Sequence, residues 1–148
     1  MMMVKELDIT GRKEALQLAL EVFMQFEAPD YPTEGIEEFT MFVRDIAPTA
    51  DMKFWGAYEG DELVGMIATR PHQHISLFFV KASHHHEGIG KELFKAVCNA
   101  HEDKTFTVNS SPYAVEIYRH LGFRLTDKKR ITNGIIYYPM KYESTNND

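Results

Sequence analysis

Between residues 75 and 108 the hydrophobic period of the chain changes twice, and no other stretch limits the fold as much. Ile75 to Val80 reads as a strand. Ile89, Leu93, Val97 and Ala100 then fall on one face of a helix running from Gly88 to about Ala100, and Thr105-Phe106-Thr107-Val108 returns to a strand pattern. Strand, helix and strand in that order form a βαβ crossover, which places the chain in the α/β class.

The flanking segments add mostly antiparallel material. Upstream, Leu16, Ala19, Leu20 and Phe23 mark an amphipathic helix over Thr10 to Phe26. Ala28-Pro29-Asp30-Tyr31-Pro32 interrupts it, and Thr33 is placed to cap a second helix that carries Ile36, Phe39, Val43 and Ile46 and stops before Pro48. The period drops to two at Phe54 to Tyr58 and Leu63 to Ala68, a hairpin turning at Glu59-Gly60-Asp61. Downstream, Ser111 and Pro112 read as the cap and first position of a short helix ending at Leu121, with Gly122 as its left-handed stop. Strands near Phe123 to Thr126 and Ile135 to Tyr142 are expected to join across Asn133-Gly134. The 148 residues fit one domain of about four helices around a mixed sheet, with the last six residues frayed.

With 44% hydrophobic residues the chain can bury a core without staples, and its lone cysteine, Cys98, reads as helix packing. The excess of 22 acidic over 16 basic residues argues against binding to nucleic acid or an anionic membrane. It suits a neutral or cationic small partner. No apolar run reaches the roughly 20 residues a membrane span needs, and no secretory signal is visible, so a cytoplasmic protein is expected.

Two segments carry chemistry. In the first, Phe78-Phe79-Val80 leads through Lys81-Ala82-Ser83-His84-His85-His86-Glu87 into Gly88-Ile89-Gly90-Lys91. There, backbone N–H groups and the positive end of a helix dipole converge where a diphosphate would sit. It matches neither the Walker spacing nor G-x-G-x-x-G. The second runs from Asn109 through Pro112 and Tyr118 to Gly122-Phe123.

Together these segments resemble the GNAT superfamily of acyl-CoA-dependent N-acyltransferases, whose strand is followed by [QR]-x-x-G-x-[GA] and later by an Asn and a Tyr-x-x-x-Gly-Phe. Gly88, Gly90, Asn109, Tyr118, Gly122 and Phe123 fall at that spacing, with His85 at the Gln or Arg position. The resemblance implies a GNAT-like mixed sheet, mostly antiparallel, splayed between the strands ending at Val80 and Val108. It also implies acetyl-CoA as co-substrate, no required metal, and acetyl transfer to a primary amine of a small molecule or peptide by direct attack. The loop of His85, His86, Glu87, Gly88, Ile89, Gly90 and Lys91 would hold the pyrophosphate. Phe78, Phe79 and Val80 would pair with pantetheine, with an oxyanion donor at Phe79 or Val80. Asn109 and Pro112 would lie beside the cofactor, and Tyr118 would protonate the departing thiolate. His85 and His86 replace the family's Gln or Arg and Gly, so the phosphate contact would depend on imidazole charge.

His74 falls where some relatives carry a catalytic glutamate, and simple alternation puts it on one face with His72, Ser76 and Phe78, which makes it the candidate base. The histidines from His72 to His86 lack the H-E-x-x-H or paired-cysteine context of a catalytic metal. Glu27, Asp30, Glu34, Glu37, Glu38 and Asp45 face one Arg44 and would attract a cationic amine, or simply form a solvated helix face. Tyr31 and Tyr113 are candidates for the acceptor pocket. The strand Ile135 to Tyr142 offers an edge for a homodimer, since dimers are common in the superfamily. A CoA-binding regulator without transferase activity is the alternative reading.

Overall fold

The structure is a computed structural model that describes residues 2–144. Eight strands form the sheet: β1 (Met2–Glu6), β2 (Lys53–Glu59), β3 (Glu62–Arg70), β4 (His74–Val80), β5 (Thr105–Ser110), β6 (Arg124–Leu125), β7 (Arg130–Thr132) and β8 (Ile135–Glu143). Their order is β1-β2-β3-β4-β5-β8-β6, with β7 also on β8; β4 and β5 are parallel, and the other pairs are antiparallel. The helices are α1 (Ile9–Phe26), α2 (Thr33–Met41), α3 (Ile89–Asn99) and α4 (Val115–Leu121). Among the described residues no helix is long and apolar enough to cross a membrane.

Helices cover both sheet faces, which is why β3 is buried without a break from Leu63 to Thr69. On one face Leu16, Phe23, Phe54, Met66, Leu77 and Phe79 form a core under α1. On the other, Ile67, Leu93, Phe106, Tyr118, Phe123 and Met140 pack under α3 and α4, with Cys98 half-buried beside them. Asp8 starts α1 by accepting the Gly11 N–H at 2.9 Å.

Several expectations change. β1 and β7 carry no strong apolar alternation and form because β2 and β8 offer them a partner. The Asn133-Gly134 turn therefore joins β7, and not the strand after Gly122, to β8. Over Tyr138 to Glu143, β8 pairs with β5, and β6 and β7 also pair with it, so β8 is not the edge strand expected from the sequence. Pro32 occupies the cap of α2 and Thr33 its first turn. Beyond Met41 the winding loosens into a π segment, Phe42–Ile46, and a 3₁₀ turn containing Pro48. Ser111 does accept a backbone bond, from Ala114 N–H at 3.2 Å, but Pro112 lies in the turn before α4 and is not its first helical residue. Of the last six residues, Glu143 ends β8, and residues 145–148 lie outside the described residues.

One irregularity in β4 positions the site. Leu77 pairs with Ala68 and Ile75 with Thr69, so β4 spends two residues where β3 spends one, and Ser76 is the extra. The bulge reverses the alternation: Ile75 packs in the same core as Phe78 and Val80, whereas Leu77 and Phe79 belong to the opposite one. His74 therefore does not share a face with Phe78, and His72 is in the turn before β4 at φ +70°.

Candidate active site

β4 and β5 pair only at His74 with Thr107 and Ile75 with Val108, then separate. Gln73 ties the closed end, its side-chain amide donating to the carbonyls of Asp103 (2.9 Å) and Thr105 (2.6 Å). Two cavities occupy the opening. One, of about 350 Å³, faces the loop after β4; the other, of about 370 Å³, lies under α1 and α2. Glu27, Phe78, Phe79, Ala114 and Tyr118 line both, so the cavities meet at these five residues.

The loop cavity runs from Phe78 and Val80 on β4 to Gly88, Ile89 and Gly90 at the start of α3. Lys81 N–H donates to Val64 O at 2.8 Å on the β3 side, and Val80 C=O on the other side accepts from His85 Nε2 at 2.8 Å. By alternation the backbone groups of Phe78 and Val80 face the opening, while Phe79, opposite Met66, faces β3. That favours Val80 over Phe79 as the oxyanion donor. Gly88 caps α3 at φ +80° with nothing within 4 Å of a would-be Cβ, and a Cβ on Gly90 would come within 3.5 Å of the Phe78 ring. The free N–H groups of the first turn of α3 thus meet open space, the setting a diphosphate requires. The open edge of β4 and the turn into α3 are of the kind a CoA-type ligand would need, with the Val80 carbonyl already taken by His85.

Of the residues read from sequence as cofactor contacts, Phe78, Phe79, Val80, His85, His86, Gly88, Ile89, Gly90 and Tyr118 line this cavity, and Asn109 lines the other. Glu87, Lys91 and Pro112 line neither. Glu87 is exposed and bonded to His84 Nδ1 at 3.0 Å. His85 stacks on Phe26 at 5.0 Å, and with its Nε2–H given to Val80 a neutral ring can only accept at Nδ1. A phosphate contact through His85 therefore needs the imidazolium. Among the described residues no three His, Cys, Asp or Glu side chains come together to hold a metal ion.

Tyr118 comes from α4, is 6% exposed, and stands edge-on to Phe78 (5.8 Å) and Phe123 (5.2 Å). Burial, reinforced by the charge of Glu27, pushes its phenol far up and keeps it protonated. His74 Nδ1 lies 2.8 Å from Thr107 Oγ1. Burial, and then the nearby Arg70 charge, lowers His74 to about 4, so its ring is neutral near pH 7 and a weak base.

Glu27 ends α1, its N–H bonded to Phe23 O at 2.9 Å, and is 9% exposed. Burial raises its carboxyl to about 7; a Ser111 hydrogen bond works against the rise and the Asp30 charge adds to it. Grouping it with the acidic residues after α1 concealed this. The signal was present in the spacing, since Leu16, Leu20, Phe23 and Glu27 continue one helical stripe. Of the other acidic residues in that group only Glu38 reaches the cavity under α1; Tyr31 lines it too, whereas Tyr113 lines the loop cavity.

Among solved structures, a GCN5-related N-acetyltransferase from Rhodopseudomonas palustris superposes with a TM-score of 0.77 at 16% identity, covering 96% of this chain and 95% of that one. The PaiA N-acetyltransferase from Thermoplasma acidophilum, solved in complex with coenzyme A, gives 0.75 at 17% identity over 97% and 99%. YjaB from Escherichia coli in its apo form gives 0.74 at 20% identity over 96% and 97%. No curated protein matches by sequence. The family model described as an acetyltransferase (GNAT) domain matches residues 27–144, and the chain accordingly belongs to the GNAT acetyltransferase family.

Proposed function

We propose that this protein moves an acetyl or short acyl group from acetyl-CoA to a primary amine by direct attack within a ternary complex. The observation that supports the proposal is that two cavities share Tyr118 in their linings, one reaching the loop after β4 and the other running under α1 and α2. Acetyl-CoA, when bound, supplies an activated acyl carbon at that meeting point. The Gly88 turn and the first N–H groups of α3 bind its diphosphate, and the backbone of Phe78 and Val80 holds the pantetheine amides. The Val80 N–H offers a donor to the oxygen that gains charge during attack. Tyr118 gives its proton to the leaving sulfur.

The acceptor cavity is lined by Phe23, Tyr31, Phe39 and Phe42 with the carboxylates of Glu27 and Glu38, which suits a cationic amine on an apolar or aromatic body. Replacing Tyr118 by Phe tests the mechanism. Turnover, followed by thiol release over an amine panel, should fall about 100-fold, the usual scale for one proton-transfer group. The acetyl-CoA dissociation constant should stay within about twofold, because the ring remains. Full turnover in that variant would remove Tyr118 from the reaction.

A further inference from the structure

We infer that Glu27 is the group that takes the proton from the acceptor ammonium, working opposite Tyr118 at the junction of the two cavities. The inference rests on the amine-acetylation reading and names a residue for it. Two protons must leave the acceptor nitrogen as the ammonium becomes an amide, while the departing sulfur needs one. Glu27 takes the first and frees the lone pair that forms the C–N bond. As the C–S bond breaks, Tyr118 gives its phenolic proton to sulfur. The second proton leaves the new amide nitrogen for the Tyr118 oxygen and restores the phenol. Glu27 then returns its proton to solvent, and the balance closes on one amide, one thiol and one released proton.

Placement carries the argument. Glu27 lines both cavities, so it borders the space between an acyl carbon in one and an acceptor in the other. It is buried among named groups: Asp30 and Tyr31 from the turn after α1, Ser111 from the loop after β5, and Tyr113 and Tyr118 around α4. His85 stands across Phe26, while Glu38, Arg70 and His74 lie along the acceptor cavity. Within this set the Glu27 carboxyl titrates at about 7, where a base both holds its charge and accepts a proton readily. His74, at about 4, is the weaker base of the two.

The test pairs kinetics with a measurement on the ligand-free protein. In Glu27→Gln, kcat should drop about 100-fold and the acidic limb of the kcat/KM profile near pH 7 should vanish, with acetyl-CoA affinity within about twofold of wild type. Glu27→Asp should recover part of the rate. By carbon-13 NMR of glutamate-labelled protein, one carboxyl resonance should titrate near pH 7 and be missing from Glu27→Gln. If that variant does not fold, the wild-type titration and Glu27→Asp decide the matter. Turnover within about threefold of wild type in Glu27→Gln, or no carboxyl titrating above about pH 6, overturns the inference while leaving acetylation intact. A wild-type protein that binds acetyl-CoA yet acetylates none of a diamine, an arylalkylamine and an amino acid amide ends the amine reading, and this inference with it.

Discussion

His86 adopts φ +67°, a left-handed conformation that costs a side-chain-bearing residue about 1 kcal/mol or more. The neighbouring loop glycine, Gly88, takes φ +80° without that cost. His86→Gly should therefore raise stability by about 1 kcal/mol, some 3 °C in melting temperature for a chain of this length. Scanning calorimetry checks it; a lower melting point would mean the imidazole earns its place by contacts in the free protein. Single residues were unevenly legible. The glycines and Tyr118 could be placed from spacing because a motif fixed them. Glu27 could not, since a carboxylate on an apolar stripe becomes informative only once its surroundings are known. His74 kept its strand but lost its face, because an extra residue at Ser76 is invisible in a period-two pattern.

Helix α2 and the β7–β8 hairpin touch through two glycines. A Cβ on Gly35 would lie 2.1 Å from Gly134 O, and one on Gly134 would lie 2.5 Å from Gly35 N. The Tyr31 hydroxyl, donating to Ile136 O at 3.0 Å, fixes the same contact. Gly35→Ala improves helix propensity by up to about 1 kcal/mol but must force backbone from backbone, and overpacking of this kind costs about 1–3 kcal/mol. The clash should win, with a lower urea midpoint and weaker acceptor binding, because α2 and the hairpin both contribute walls to that cavity. An unchanged midpoint would show that the hairpin floats. Long amphipathic helices and paired apolar strands were readable in advance. β1 and β7 were not, because an exposed strand is specified by the neighbour it joins and carries little pattern of its own.

At the scale of the whole molecule, two enclosed groups that titrate between about pH 4 and 7 bend the stability curve in opposite directions. Glu27, raised from 4.5 to about 7, binds its proton more tightly when folded, so its contribution is greatest below pH 4.5 and declines as pH rises to about 7. His74, lowered from 6.5 to about 4, binds its proton less tightly when folded, so its contribution is complete above pH 6.5 and is lost as pH falls to about 4. Each slope is at most about 1.4 kcal/mol per pH unit. Through their shared window they oppose, and melting temperature should vary little from this source. Glu27→Gln removes one side, so that variant should gain stability on going from acid toward neutrality. Parallel wild-type and variant curves would contradict the Glu27 assignment. Fold class and the order of elements from α1 to α4 were open to sequence reasoning because they follow from periodicity; this balance was not, since it depends on how deeply each group is enclosed.

The brief β4–β5 pairing has a mechanical meaning. Two panels of sheet are stitched along a pair of rungs and a glutamine clasp, so a short seam lies beside the opening. An occupant pairing with the open edge of β4 would extend the ladder there, and amide exchange along β4 should slow when the protein is loaded.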